Sequence, residues 1–183
     1  DSVASLYDRN GLKDLISETS KNVFIPITVG GGIRSVSDIS DILRSGADKV
    51  SINTAAIKNP EFIKEAVKEF GSSTITIAIE AIKKEDGKFY AFTDNGRENT
   101  NLIASEWAKK VIDLGVGELI ITSVDNEGTG KGYDYELLKS FESIDVPVVY
   151  HGGISSQENA LELCSKFNIQ GLSIASSFHY KLI

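Results

Sequence analysis

One segment of this chain is written twice. Residues 25–54, IPITVGGGIRSVSDISDILRSGADKVSINT, return as residues 146–176, VPVVYHGGISSQENALELCSKFNIQGLSIAS. Pro26 falls on Pro147, Gly31-Gly32 on Gly152-Gly153, Ile33 on Ile154 and Ser35 on Ser156, all at an offset of 121 residues. After one inserted residue, Ser51-Ile52 falls on Ser173-Ile174 and Thr54 on Ser176. Each copy reads as a buried strand, a glycine pair, a helix, and a second buried strand ending in small polar residues. A duplicated strand-helix-strand unit leaves only folds built from repeats.

Gly-Gly after a strand suits a tight turn that needs positive φ. It also suits anion binding, because a strand running through glycine into a helix offers free N–H groups and the positive end of a dipole. Two copies, each followed by a strand ending in Asn53-Thr54 or Ala175-Ser176, favour the second reading and predict two phosphate sites, one per half of the molecule.

Between the copies the pattern continues. Apolar residues at 12, 15 and 16 predict a helix over 11–21, followed by a strand over 24–29. Ser35 and Asp38 form a helix start, with Ile39, Ile42 and Leu43 as its buried stripe and Gly46 as its stop. Val50–Ile52 is strand, and Pro60 opens a helix ending at Phe70-Gly71. The β-branched run 73–79 is a buried strand ending on Glu80, and KKEDGKFYAFTDNG is an inserted hairpin turning at Asp86-Gly87. Helices are predicted over 101–114, 133–141 and 156–167, and strands over 119–123, 147–150 and 171–174; the last nine residues begin a loop.

Alternating strands and helices with buried parallel strands allow an open doubly wound sheet or a closed barrel. The twofold repeat selects an α/β (β/α)8 TIM barrel, one domain over 1–183, with half-barrels over about 1–70 and 71–183. Ser2-Val3 matches Ser123-Val124 at the same offset, so the chain is expected to lack the first strand, most of the second and the last helix. If the duplication was complete, about 45 N-terminal residues are missing, and a barrel left open in this way would be inactive and aggregation-prone alone.

At 41% hydrophobic content, 183 residues bury a sizeable core, and no apolar run approaches the ~20 residues of a membrane span. The formal charge of −7 is mixed along every helix, without the basic face that nucleic acid requires. The single Cys164, inside a predicted helix, reads as a small core residue; no disulfide is possible within the chain, which fits a reducing cytoplasm. Trp107 reads as core packing. No metal or cofactor is implied.

Catalytic groups of such a barrel sit at the C-terminal ends of its strands. Here those ends carry Asp1, Gly30-Gly31-Gly32, Asn53-Thr54, Glu80, Asp125 to Thr129 with Glu127 and Gly128, His151-Gly152-Gly153, and Ala175-Ser176. Two phosphate cradles with carboxylates between them suit a long substrate phosphorylated at both ends, with acid/base chemistry in the middle. Glu80, a lone acid on an apolar strand, is the candidate acid or base, its pKa raised by burial.

The runs PITVGGGIRS, GADKVSINTAAIKNP, GSSTITIAIEA, GELIITSVDNEGTGKGYD and IASSFHY resemble the cyclase subunit of imidazole glycerol phosphate synthase, the HisF-type barrel of histidine biosynthesis. The resemblance spans essentially the whole chain. It implies a lyase that takes ammonia from a glutaminase partner, as a heterodimer, and a ribulosyl-aminoimidazole substrate carrying two phosphates. The products are imidazole glycerol phosphate and an aminoimidazole carboxamide ribotide.

By the same resemblance Gly32, Asn53 and Thr54 bind one phosphate, and Gly128, Gly153, Ala175 and Ser176 the other. Asp48, Lys49 and Glu118 lie at the ammonia entrance facing the glutaminase; read alone, Lys49 and Glu118 are solvated strand starts. His179 matches a family histidine. Three positions depart from the family: Glu80 and Glu127 stand where it has aspartate, and His151 where it has serine. Glu80's extra methylene moves the carboxyl by about 1.5 Å. These departures keep two other readings in play: a paralogue that uses ammonia to amidate a sugar for surface polysaccharide, and a non-catalytic barrel.

Overall fold

The computed structural model describes residues 10–180. Helix α1 (Asn10–Asn22) precedes strand β1 (Thr28–Gly30), and α2 (Val36–Arg44) leads to β2 (Lys49–Ile52). A short α3 (Thr54–Lys58) and α4 (Glu61–Phe70) run through a 3-10 turn at Ser72–Thr74 into β3 (Ile75–Lys83). The antiparallel pair β4 (Phe89–Thr93) and β5 (Glu98–Ile103) comes before α5 (Ala104–Asp113). Then follow β6 (Glu118–Ser123), α6 (Tyr135–Ser140), β7 (Val148–His151), α7 (Gln157–Lys166), β8 (Gly171–Ser173) and α8 (Ser176–His179).

Six strands pair in parallel in the order β1-β2-β3-β6-β7-β8, with β4 and β5 hanging off β3. Sequential parallel strands joined by helices make this the curled sheet of a (β/α)8 barrel, in agreement with the repeat. The strand stub at Ser2-Val3 and the candidate Asp1 lie outside the described residues.

Register explains where the core sits. Val50 pairs with Ile75, Ile52 with Ile77, Ile77 with Leu119, Ile79 with Ile121, and Ile121 with Tyr150. Parallel partners project to the same face, and all of these side chains are buried, packed in one cluster with Ile39, Ile63, Trp107 and Leu137 of the helices. Each such aliphatic burial contributes about 1.5–3 kcal/mol, so the layer between sheet and helices holds the fold. The alternate residues, among them Ser51, Ala78, Ile120 and Val149, face the barrel interior and are only half-buried.

The repeat is visible in backbone angles. Ser35 (φ −146°, ψ 161°) and Ser156 (φ −154°, ψ 169°) are extended N-caps whose side chains accept from Asp38 N and Asn159 N. Gly31 and Gly32 have φ of 107° and 61°, matched by 116° and 79° at Gly152 and Gly153.

Several sequence expectations are corrected. Phe24 and Ile25 are not strand but exposed, 93% and 73%, because β1 finds its ladder with β2 only from Thr28. Glu80 is not a strand end: β3 runs three residues further, exchanging β2, its partner as far as Ile77, for β4 from Glu80 onward. The helix expected from Asn101 starts at Ala104, since Glu98–Ile103 pair with β4 instead, Asn101 taking φ 61° beside a register shift. The helix expected over 133–141 begins later because Asp134 caps it, accepting from Leu137 N at 3.0 Å. The final segment contains the turn of helix α8 rather than only loop. Cys164 is exposed; Leu163 takes the buried side of α7, and the next residue turns about 100° away from it.

Candidate active site

The interior face carries its polar residues at the C-terminal end of the strands. Glu80 on β3 is in register with Thr122 on β6, Thr122 with His151 on β7, and His151 with Ser173 on β8. Four neighbouring strands thus present one polar layer above Ala78, Ile120 and Val149, and the cavities open on this rim.

The first cavity, about 760 Å³, is lined by Gly30 to Arg34, Ser51 to Ala55, Lys58, Glu80, Asp94, Asn95 and Glu98. It brings Gly31, Gly32, Asn53, Thr54 and Glu80 together. The backbone just ahead of helix α2 is already engaged, however: Asp38 Oδ2 accepts from both Arg34 N (2.8 Å) and Ser35 N (2.9 Å) in a reciprocal capping box that also takes up Asp38 N. An anion here therefore meets the glycine turn, the head of α3, and the side chains of Arg34 and Lys58. Asn53 Nδ2 donates to Phe92 O at 3.2 Å, while its Oδ1 is buried without a partner among the described residues. A buried acceptor in that state is suited to a donor on a ligand.

The second cavity, about 150 Å³, is lined by Glu127 to Gly130, His151 to Ile154, Ser173 to Ser177 and Tyr180. It gathers Glu127, Gly128, Thr129, His151, Gly152, Gly153, Ala175 and Ser176. The loop after β6 closes on the glycine turn: Gly132 N donates to Gly153 O at 2.8 Å, and Asn126 Nδ2 to Gly132 O at 2.9 Å. Only glycine fits there, because a Cβ on Gly153 would lie 2.1 Å from Gly132 O and one on Gly152 2.6 Å from Ser123 O. His151 Nδ1 is 3.5 Å from Thr122 Oγ1, and Nε2 is 3.9 Å from Glu127 Oε1. Asp125 lines neither cavity; it is exposed and accepts from Lys83 N at 3.1 Å, tying the loop to the end of β3.

Glu80 belongs to the first cavity and feels the second. Its Oε2 accepts from Gly96 N at 2.8 Å. Burial holds its carboxyl above the ordinary range; the Gly96 N–H and the Asn53 side chain oppose that rise, and the charges of Glu127 and Asp94 add to it. A carboxyl group with a raised pKa on a cavity wall is equipped to carry a proton at a pH where exposed glutamates do not.

At the opposite end of the strands, Lys49 Nζ contacts Glu118 Oε2 at 2.6 Å, and Glu118 Oε1 accepts from the buried Thr76 hydroxyl at 3.0 Å. The two charges are partnered and half-buried rather than separately solvated. Asp48, beside them, is exposed and accepts from Ile27 N at 2.8 Å.

Arg34, Lys58, Asp94 and Asn95 line the first cavity without having been singled out in the sequence. Arg34 had a signal, since it lies between the glycines and the Ser35 cap. The others reach the rim through α3 and through the β4–β5 turn, neither of which has a periodic pattern. Asp134, also missed, accepts from Ser123 Oγ at 3.2 Å, and its N–H donates to the buried Tyr150 hydroxyl at 2.8 Å.

Comparison with known proteins gives the chain its family. The family described as "Histidine biosynthesis protein" matches residues 2–183. The imidazole glycerol phosphate synthase subunit HisF of Legionella pneumophila is 50% identical over 159 residues, covering 86% of this chain and 75% of that protein. Its counterpart in Hydrogenobaculum sp. (strain Y04AAS1) is 44% identical over 184 residues, 100% of this chain and 73% of the relative. That of Prochlorococcus marinus (strain AS9601) is 46% identical over 181 residues, 97% and 71%. The chain belongs to the histidine-biosynthesis protein family, among the HisF-type subunits of imidazole glycerol phosphate synthase.

Proposed function

We propose that this protein is the cyclase subunit of an imidazole glycerol phosphate synthase. It receives ammonia from a glutaminase subunit and converts a ribulosyl-aminoimidazole bisphosphate into imidazole glycerol phosphate and an aminoimidazole carboxamide ribotide. The reading is carried by one observation: two glycine-turn cavities open on the same rim, and Glu80 in the first is close enough to Glu127 in the second to feel its charge.

In this reading Gly31, Gly32 and Thr54 hold one phosphate, with Asn53 on the same seat, its buried Oδ1 facing a donor of the substrate rather than a phosphate oxygen, and Gly128, Gly152, Gly153, Ala175 and Ser176 hold the other. Arg34 and Lys58 add positive charge to the first seat. Anchoring both ends makes the ring-forming centre effectively intramolecular, and Glu80 moves the proton there. Glu127, Thr129 and His151 border the second seat. Ammonia acts as a nucleophile only when unprotonated, so a route shielded from water has a chemical purpose. The Lys49–Glu118 pair and Asp48 stand at the end of the strands where the glutaminase would deliver it. A cytoplasmic location goes with the substrate's class.

The test is to add the bisphosphorylated ribulosyl substrate and ammonium to the intact protein and follow imidazole glycerol phosphate by mass spectrometry. Product that disappears in Glu80→Ala supports the reading. Absence of product, together with ammonia-dependent amidation of a sugar, would replace it with the polysaccharide reading, in which the Glu80 and His151 changes mark the altered substrate.

A further inference from the structure

The β4–β5 hairpin leaves the parallel sheet, yet its turn comes back to the rim. Asp94, Asn95 and Gly96 all have left-handed φ, 56°, 59° and 75°. Such a run turns the backbone sharply out of the β4 ladder. Here the N–H of Gly96 donates to Glu80 Oε2 at 2.8 Å. The turn is seated from behind: a Cβ on Gly96 would lie 2.8 Å from Val124 Cγ1, so the backbone is packed against the strand-end loop of β6. It is tied from the side as well, through the Glu80–Phe92 ladder pair and the Asn53 amide on Phe92 O.

We infer that this hairpin turn is the positioning element for Glu80, pinning Oε2 with the Gly96 N–H so that Oε1 is the oxygen that carries and delivers the proton. A neutral carboxyl group has one hydroxyl and one carbonyl oxygen, and an N–H donor bonds the carbonyl oxygen. With Oε2 engaged by Gly96, the hydroxyl is placed on Oε1; the Asn53 side chain is a second donor to the carboxyl group and, like Gly96, favours its ionised form. Proton transfer then breaks Oε1–H, leaves the electron pair on the carboxylate, and keeps the Gly96 contact, which strengthens as charge develops. The clamp also accommodates the extra methylene of glutamate: its added torsion is fixed by a donor that β3 alone does not provide. The charged groups facing Glu80 are Asp94 of the turn and Glu127 of the loop after β6, with Glu98, Arg34 and Lys58 on the same cavity.

The inference rests on the reading of Glu80 as the proton-transfer group, and its test separates the two. Glycolic acid in place of Gly96, introduced by semisynthesis, replaces the peptide N–H by an ester oxygen and leaves every side chain intact. The N–H favours the ionised carboxylate, so its loss should raise the Glu80 titration midpoint, read from the labelled side-chain carboxyl carbon by NMR without substrate. The pH–rate profile should move the same way, with kcat down on the order of tenfold and KM for the bisphosphate unchanged.

Gly96→Ala supplies a second test should the ester chain fold poorly. It pushes the turn off Val124 and should shift the midpoint upward, with partial return in Gly96→Ala/Val124→Ala. An unmoved midpoint in both variants overturns the clamp. A moved midpoint without any imidazole product overturns the functional reading and leaves the clamp standing.

Discussion

Replacing Gly153 by alanine should cost far more than the methyl group suggests, because two penalties add at that position. At φ 79° an L-residue sits in the left-handed region, which costs about 1–2 kcal/mol. The new Cβ would also lie 2.1 Å from Gly132 O and 2.9 Å from Asn126 Cβ. Ordinary contact needs more than about 3 Å, so the carbonyl must retreat by about 1 Å. That carbonyl and its neighbouring N–H are fixed by the Asn126 Nδ2 bond of 2.9 Å and the Gly132 N–Gly153 O bond of 2.8 Å. Losing both adds about 2 kcal/mol at ~1 kcal/mol each, for a total of about 3–4 kcal/mol. Gly128→Ala is the control: φ is 71° but no atom lies within 4 Å of the point where its methyl would stand, leaving only the ~1–2 kcal/mol backbone term. Urea unfolding of both variants, compared at equal m, should separate them by about 2 kcal/mol. Equal destabilisation would refute the packing of the β6 loop on the glycine turn. If the second cavity seats a phosphate, Gly153→Ala should also raise KM for a bisphosphorylated substrate, by at least about tenfold.

Glu80 has a folded pKa above its ordinary value, so the native state keeps its proton where the unfolded chain has lost it. Stability then falls as pH rises from the ordinary glutamate range through the raised value; Glu80→Gln should remove that slope and stabilise the protein at neutral pH, as melts across about pH 4–8 would read. Tyr150, whose burial pushes its hydroxyl up to about 12, should show no ultraviolet titration step near the ordinary tyrosine pKa of about 10 in the native protein, and Tyr150→Phe should cost about 1–3 kcal/mol in urea by leaving the Asp134 N–H unpaired. Ser35→Ala breaks one arm of the capping box on α2 and should lower stability by about 1 kcal/mol, measured in the same way.

What could be read from residues alone follows from how local each signal is. The duplicated unit was legible because glycine pairs, serine caps and buried strands impose the same backbone wherever they recur: Ser35 and Ser156 have φ of −146° and −154°. The β-branched strands were legible because their partners are equally apolar. The β4–β5 arm was half legible: Asp86-Gly87 announces one turn, but Glu98–Ile103 alternates without an apolar face and borrows its conformation from β4. For the same reason Glu80 could be chosen as a lone acid on an apolar strand, whereas its clamp could not, since Gly96 reaches it through tertiary structure. Lys49 and Glu118, 69 residues apart, read as two solvated strand starts until register brings them to 2.6 Å. Phe24 and Cys164 show the limit of composition: an apolar or small residue in a periodic segment is buried only if its own face is covered.

If each half of the repeat seats one end of a doubly phosphorylated molecule, the two phosphates occupy separate environments. Phosphorus NMR of the bisphosphorylated substrate, or of a non-reacting analogue, bound to the protein reads both at once. Two resonances should move from their free positions; Thr54→Ala should return one of them and Ser176→Ala the other. A single displaced resonance, or one resonance sensitive to both substitutions, would rule out two seats.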